Sequence, residues 1–191
     1  NRVFDFSVSI HTITHPDYYR KGIFKKLANL TYAKCAETGV VGTVGVPNNN
    51  SLHGFTKGLG FEVIGQLEIM GRLVRPWPSA SRQGSGRVRK IAWPEDIQDL
   101  GDDIAVAKAQ SGTTMMARDP RFIQWRFLQC PNAGYTVYTF IREEKVLGLV
   151  VLRKVWRSKL PVTIIVDFVV DTAQDDYQAI ASALLSKVHS F

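Results

Sequence analysis

The sequence has little of three things that define many protein classes: cysteine, long apolar runs and clustered metal ligands. Its two cysteines, Cys35 and Cys130, form no Cys-x-x-Cys pair, so neither a disulfide framework nor a zinc site is expected. No apolar run approaches the roughly 18 residues of a membrane-spanning helix, and we recognise no signal peptide. We therefore expect a cytoplasmic protein with no metal and no membrane partner.

The charge that is present is unevenly distributed. The chain holds 24 Lys and Arg against 17 Asp and Glu, a net charge of +7. Residues 1–90 contain 13 basic and 5 acidic residues, whereas residues 91–191 contain 11 and 12. An excess of cations in one part of a chain indicates that this part meets an anionic partner.

The first part of the sequence alternates between strand and helix patterns. Phe4, Phe6, Val8 and Ile10 recur every second residue, which is typical of the apolar face of a half-buried strand. The patterns predict, in chain order, a strand over Val3–Thr14, a helix from about Gly22 to Gly39, a strand over Val40–Val46, a short helix to about Leu59, and two strands, Phe61–Leu67 and Glu68–Val74, in a hairpin.

Residues 77–90 are rich in Pro, Ser, Gly and basic residues and are predicted to be a linker. The chain is therefore divided into a unit of residues 1–76, the linker, and a unit of residues 91–191. The second unit is predicted to contain a helix over Pro94–Gln110, a helix from Asp119-Pro120 to Leu128, a hairpin of Tyr135–Arg142 with Val146–Lys154, a buried strand over Thr163–Val170, and an amphipathic helix over Asp175–His189.

The most informative segment runs from Thr12 to Phe24, where a strand turns into a helix with a glycine at its start. Helix N-termini present unpaired amides and the positive end of the helix dipole, so they bind phosphate groups. Cations accumulate here: Arg20, Lys21, Lys25 and Lys26. The residues alone predict an anion site or, equally, a solvated basic helix end whose glycine serves the turn.

This segment, Thr12-Ile13-Thr14-His15-Pro16-Asp17-Tyr18-Tyr19-Arg20-Lys21-Gly22-Ile23-Phe24, resembles the acetyl-CoA-binding motif of the GNAT acyltransferase superfamily. A second match follows in Asn49, Leu52, Thr56, Leu59, Gly60 and Phe61. The two motifs span about Val3–Val74. The resemblance implies a GNAT-like α/β fold with a mixed sheet, and transfer of an acyl group from acyl-CoA to a primary amine by direct attack in a ternary complex.

Carried onto this sequence, the resemblance implies three sets of cofactor contacts. The backbone of Thr12, Ile13 and Thr14 would pair with the pantetheine arm of acetyl-CoA or another acyl-CoA. Asn49 would contact the cofactor arm, although an asparagine close to Pro47 also suits a turn. The pyrophosphate would lie on the amides of Arg20, Lys21, Gly22, Ile23, Phe24 and Lys25.

Three positions depart from the family's pattern, and a base has to be found. Tyr19 stands where the family often has arginine or glutamine, a change that removes no amide donor. Phe24 stands where a second glycine or alanine is common, and its bulk would crowd the phosphates. Thr56 stands where the family often has a tyrosine that protonates the departing thiolate; it is shorter and far less acidic, but solvent or the amine's proton can serve. The candidate base is His11, because imidazole titrates near neutrality; a half-exposed strand histidine is the competing interpretation.

The segment from Asp119 to Phe127 resembles one found in tandem-GNAT acyltransferases, which implies a second, degenerate GNAT-like unit. Phe122, Trp125 and Phe127 would face a ligand or, as is commoner at helical spacing, form core. The junction Asp171–Asp176 has no glycine and three aspartates, and negative charge at a helix start repels an anion. We therefore expect this unit to bind no CoA and to shape the acceptor site.

Two classes of function follow from the sequence. The first is an N-acyltransferase acting on a small-molecule or peptide amine, and the second is a non-catalytic module that binds CoA or a phosphate ligand. Nucleic acid is the least favoured partner, because bare charge without a motif is a weak signal. A homo-oligomer is compatible with the sequence. The chain also starts and stops within expected GNAT elements, which predicts a piece of a longer protein.

Overall fold

A computed structural model of the chain describes residues 3–10, 12–71, 85–92, 96, 116–131 and 133–191. The chain divides into two compact units, Asn1–Gly71 and Arg72–Phe191. Apart from Asp96, the predicted helix Pro94–Gln110 lies outside the described residues, as does the predicted linker up to residue 84. The two units are described separately below.

The first unit is built around a parallel strand pair joined by a helix. Strand β1 (Phe6–Ser9) pairs with β2 (Gly42–Gly45), and helix α1 (Ile23–Glu37) makes the crossover that a parallel pair requires. Helix α2 (Asn49–His53) follows and continues into a π-helical turn over Gly54–Gly58. The mixed α/β character predicted for this unit is confirmed.

The start and the end of α1 follow from two glycines. Gly22 precedes the helix with φ +72°, and Gly39 follows it with φ +89°. A side chain is strained at such φ values, which is why glycine is common at these positions. The helix predicted between them is therefore confirmed.

The apolar face of β1 is exposed, contrary to the prediction of a half-buried strand. The exposed fractions are 50% for Phe6 and 59% for Val8. The small side chains point inward instead: the hydroxyls of Ser7 and Thr43 hydrogen-bond at 2.6 Å, and Gly45 faces the buried ring of Phe55. The aromatic core of this unit thus packs on the small-residue face, which leaves the large residues on the other side.

The hairpin predicted over residues 61–74 is wrong within its described part, since residues 61–71 contain no strand. Ile64 and Ile69 are 94% and 99% exposed. A β-branched run needs a neighbouring strand to satisfy its amides and cover its side chains. No described strand pairs with this segment.

The second unit contains a four-stranded antiparallel sheet in the order β3-β4-β5-β6. Its strands are β3 (Arg87–Ile91), β4 (Tyr135–Arg142), β5 (Lys145–Arg157) and β6 (Leu160–Val170). The turn Glu143-Glu144 has positive φ at both residues, as expected for a two-residue hairpin turn. The predicted β4–β5 hairpin is confirmed, with β5 longer than expected.

Two predictions for this sheet are wrong. Residues 87–90, assigned to the linker, belong to β3, because Ile91 is buried in the core and draws the preceding residues into pairing with β4. Strand β6 was expected to be buried, but it lies at the edge of the sheet and Ile165 is 45% exposed. Within β6 only Val169 is buried.

Helices cover both faces of the sheet. On one face, Asp119 caps α3 (Pro120–Ile123) by accepting a hydrogen bond from the Phe122 amide at 2.7 Å, and a π-helical turn over Gln124–Leu128 follows. Helix α4 (Tyr177–Ser190) packs against the other face. The two faces form separate clusters, one around Ile123, Phe127 and Leu149, and one around Phe140, Ile180 and Leu184.

Candidate cofactor-binding site

The chain leaves β1 in an extended conformation and turns sharply before α1. Pro16–Tyr18 form a single 3₁₀ turn, which His15 caps by accepting a hydrogen bond from the Asp17 amide at 3.4 Å. The Tyr18 amide also donates to the His15 carbonyl at 2.9 Å. Proline at the first position of the turn fixes φ and needs no hydrogen-bond acceptor. His15 thus shapes the path into the helix.

The start of α1 presents free donors in a positive environment. The first helical bond runs from the Lys26 amide to the Gly22 carbonyl at 3.0 Å, so the amides of Ile23, Phe24 and Lys25 precede the helical ladder. Arg20 has φ +60°, so backbone with positive φ lies on both sides of Lys21. Within the described residues, none of the four cations near this helix start, Arg20, Lys21, Lys25 and Lys26, forms an ion pair.

A groove of about 370 Å³ lies between the extended segment and one face of α1. Thr12, Ile13 and Thr14, predicted to hold the pantetheine arm, line one wall with Ser9, His15 and Tyr18. The opposite wall is formed by residues of α1: Ile23, Phe24, Leu27, Ala28, Thr31 and Tyr32. Five of the predicted cofactor residues therefore line one groove, and Arg20, Lys21, Gly22 and Lys25 belong to the turn and first helical residues at its side.

Phe24 both lines the groove and contacts the aromatic core of the first unit. Its ring contacts Phe55 edge-on with 5.3 Å between the centroids, and Phe55 in turn contacts Phe61 at 5.1 Å. Phe55 is only 3% exposed. The large residue at the position where the family has a small one thus anchors the first turn of α1 to the core.

The other predicted residues lie apart from the groove wall. Asn49 is the exposed first residue of α2, and the cap of that helix is Asn48, whose side chain accepts a hydrogen bond from the Ser51 amide at 3.0 Å. The Thr56 hydroxyl donates to the Leu52 carbonyl at 3.0 Å. His11, the predicted base, lies outside the described residues.

Sequence reasoning did not assign Tyr18, Leu27 or Thr31 to the groove. Tyr18 lines it and holds the Lys21 ammonium 4.7 Å from its ring centroid. Leu27 and Thr31 continue the groove face of α1 one and two turns beyond Phe24. The spacing of three, four and seven residues from Phe24 could have identified this face, but the pattern is also that of an ordinary core face.

At the corresponding junction of the second unit, between β6 and α4, two aspartates hydrogen-bond to other groups of the protein. Asp171 accepts hydrogen bonds from the Ala173 amide at 3.0 Å and from the Gln174 side chain at 2.9 Å. Asp176 is bound by both terminal nitrogens of Arg142, at 3.2 and 2.5 Å. The hydrogen bond from Arg142 lowers the pKa of Asp176, and the pKa of Arg142 is raised in return.

Neither a metal cluster nor a membrane-spanning helix is found in the part of the chain that the structure describes. There, no group of three or more His, Cys, Asp or Glu side chains could hold a metal ion. None of the helices described has both the length and the apolar character needed to cross a membrane.

No protein-family model and no curated protein matches the chain. The similar solved structures include two of an aminoglycoside acetyltransferase from an uncultured soil metagenomic sample. The complex with sisomicin is 19% identical to this chain with a TM-score of 0.42, and the complex with trehalose is 19% identical with a TM-score of 0.40. Each alignment covers 56% of this chain and 69% of the other. A ribosomal-protein-alanine N-acetyltransferase from Brucella melitensis biovar Abortus 2308 is 15% identical with a TM-score of 0.40, covering 56% and 71%.

Proposed function

We propose that the chain is an acyl-CoA-dependent N-acyltransferase, with the cofactor site in its first unit. The observation that carries the proposal is the position of Thr12–Thr14 and the α1 start beside one groove. The sequence motif that resembles the GNAT cofactor site thus coincides with free helical amides and four cations. These features suit a polyphosphate attached to an extended arm.

Each part of an acyl-CoA has a matching part in the chain. The backbone of Thr12–Thr14 would bind the pantetheine amides, since an extended segment can pair with an extended arm. The amides of residues 20–25 would bind the pyrophosphate, beside a Phe24 ring that is held against Phe55. The groove wall on α1, with Leu27 and Ala28, would cover the apolar part of the arm.

The reaction requires little of the protein beyond placement and proton transfer. The acceptor amine loses a proton, its nitrogen forms the new amide bond, and the carbon–sulfur bond breaks to release a thiolate that takes up a proton. Alignment of the two reactants supplies much of the rate. We assign His11 as the base and Thr56 as a residue near the leaving group; the acceptor is a small-molecule or peptide amine in the cytoplasm.

A second candidate function, a non-catalytic module that binds CoA, is favoured by one contact. The Thr56 hydroxyl is already used by the Leu52 carbonyl, so it is not directed at a departing thiolate. In this alternative the helix start binds the pyrophosphate as proposed, but no amine is acylated.

Two measurements on the full chain separate these functions. Calorimetry with acetyl-CoA tests the site: we expect saturable binding that is lost in Gly22→Asp, and unchanged affinity in that variant would overturn the assignment. Release of free thiol from acetyl-CoA against a panel of amino sugars, polyamines and peptides tests the reaction. Binding without thiol release from any of these amines supports the non-catalytic module.

A further inference from the structure

We propose that the second unit contains a site for an organic phosphate or carboxylate, formed by Arg126 and Arg153 around Tyr135. All three residues belong to the second unit, and the proposal does not depend on the proposed function. It is inferred from the packing and the charge balance of the antiparallel sheet.

The two arginines reach one tyrosine from different elements. Arg153 of β5 is the direct register partner of Tyr135 at the start of β4, so the two side chains leave the same face of the sheet. Arg126 comes from the π-helical turn that follows α3. Each guanidinium carbon lies 5.7 Å from the Tyr135 ring centroid, so the two groups can be no further apart than twice that distance.

The position of the tyrosine is fixed by the core. Phe127, which is 5% exposed, meets the Tyr135 ring edge-on at 5.4 Å between centroids. Arg126 lies 5.8 Å from the same Phe127 ring, and its terminal nitrogen is 3.5 Å from the Tyr135 hydroxyl. Both guanidinium groups therefore lie against a ring whose position the core fixes, and one of them is also near its hydroxyl.

Among the described arginines of this unit, some pair with aspartates and some do not, and Arg126 and Arg153 differ from the rest in that both lie against one ring. Three other arginines each have an aspartate partner: Arg89 with Asp96, Arg118 with Asp167, and Arg142 with Asp176. Within the described residues, Arg126 and Arg153 have no carboxylate partner. Two like charges beside one ring repel each other, and an anion between them would remove that repulsion.

The surroundings favour an anion with a flat or apolar group attached. Residues 153–162 contain four basic and no acidic residues, which makes the local potential positive. Arginine binds phosphate and carboxylate through parallel hydrogen bonds, and a tyrosine hydroxyl can add one more. The Tyr135 ring, against which both arginines lie, would contact the rest of the ligand.

The test is a calorimetric titration of the full chain with phenyl phosphate and with benzoate, each at constant ionic strength. We expect one of these probes to bind, and its affinity to fall about tenfold or more in Arg126→Gln and in Arg153→Gln, because each removes a charge-assisted contact. Matched controls are Arg121→Gln, on the same helical segment, and Arg157→Gln, on the same strand. Both are exposed and should change the affinity less than twofold.

Two further variants test the site if a glutamine variant fails to fold, and test whether the probe binds in the cofactor groove instead. If either glutamine variant unfolds, Arg153→Lys retains the charge but loses the planar fork, and it should weaken binding severalfold. Gly22→Asp should leave this binding unchanged, which separates the site from the cofactor groove. Equal losses in the two control variants, loss in Gly22→Asp, or no binding of either probe would overturn the proposal.

Discussion

The two units each turn from a strand into a helix, and the two junctions differ in charge and in backbone freedom. In the first unit, Gly22 opens α1 at φ +72° among four cations. In the second, Asp171, Asp175 and Asp176 precede α4 without any glycine. The free amides of a helix start have to be satisfied by something. At the first junction the amides of Ile23, Phe24 and Lys25 precede the helical hydrogen bonds, whereas at the second Asp171 and Asp176 hydrogen-bond to other groups of the protein.

At the second junction a carboxylate is already engaged by another residue of the protein. Asp176 is held by Arg142 through two hydrogen bonds, so its charge is already neutralised within the protein. Arg20, Lys21 and Lys25 have no such partner within the described residues. Under the proposed function, an anionic ligand would compensate these charges.

The largest expected effect is that of Gly22→Asp on acetyl-CoA affinity, a loss of about 100-fold or more. The variant strains a left-handed residue and places a negative charge among the amides that would bind phosphate. Gly39→Asp is the matched control, because Gly39 also has positive φ and open space around it but lies at the other end of α1. Calorimetry should show normal affinity in the control; equal losses would mean that the helix itself is damaged.

The second prediction concerns the acid sensitivity of the second junction. Because the pKa of Asp176 is lowered in the folded state, its contribution to stability is complete above the ordinary carboxyl pKa of about 4 and is lost as pH falls through the lower folded value. Asp176→Asn should therefore lower the unfolding temperature by a few degrees at pH 7.

The difference between Asp176→Asn and the unsubstituted chain should shrink toward pH 3, when unfolding is followed by circular dichroism. Asp175→Asn is the control, since that exposed neighbour forms no ion pair within the described residues. A difference that stays constant with pH would show that the carboxylate is not responsible.

The third prediction tests whether charge at the first junction contributes to affinity. Lys25→Gln should weaken acetyl-CoA binding about two- to fivefold, because an exposed cation near a phosphate contributes about 0.3–1 kcal/mol. The effect should diminish at high salt. Lys57→Gln removes an exposed cation from α2's continuation in the same unit and should leave the affinity unchanged; an equal effect in both variants would indicate only general attraction.

The smallest expected effect is that of Thr56→Ala on the rate of thiol release, a change of less than twofold. The hydroxyl is engaged by the Leu52 carbonyl, and alanine is a better helix former. Thr56→Ser, which keeps the hydroxyl, serves as the comparison. A large loss of rate in Thr56→Ala that is restored in Thr56→Ser would instead identify this hydroxyl as part of the reaction.

Local signals predicted several elements correctly. The glycines at the ends of α1, the aspartate-proline pair at the start of α3 and the charged turn between β4 and β5 each act within a few residues, so they can be interpreted without knowing the rest of the fold. Three predictions that depended on burial or pairing failed, although the apolar face of α4, with Ile180 and Leu184, is buried as expected. The exposed face of β1, the unpaired residues 61–71 and the edge position of β6 depend on which elements pack against them.

The candidate site shows the same division. The sequence by itself determined the helix start. Glycine adopts positive φ without strain, and each cation is placed by its position in the chain, so both features are properties of single residues. Only the tertiary structure decided that Phe24 contacts Phe55, that residues 12–14 share a groove with α1, and that Arg126 and Arg153 meet at Tyr135. These are contacts between residues distant in sequence, and they depend on packing that no local pattern encodes.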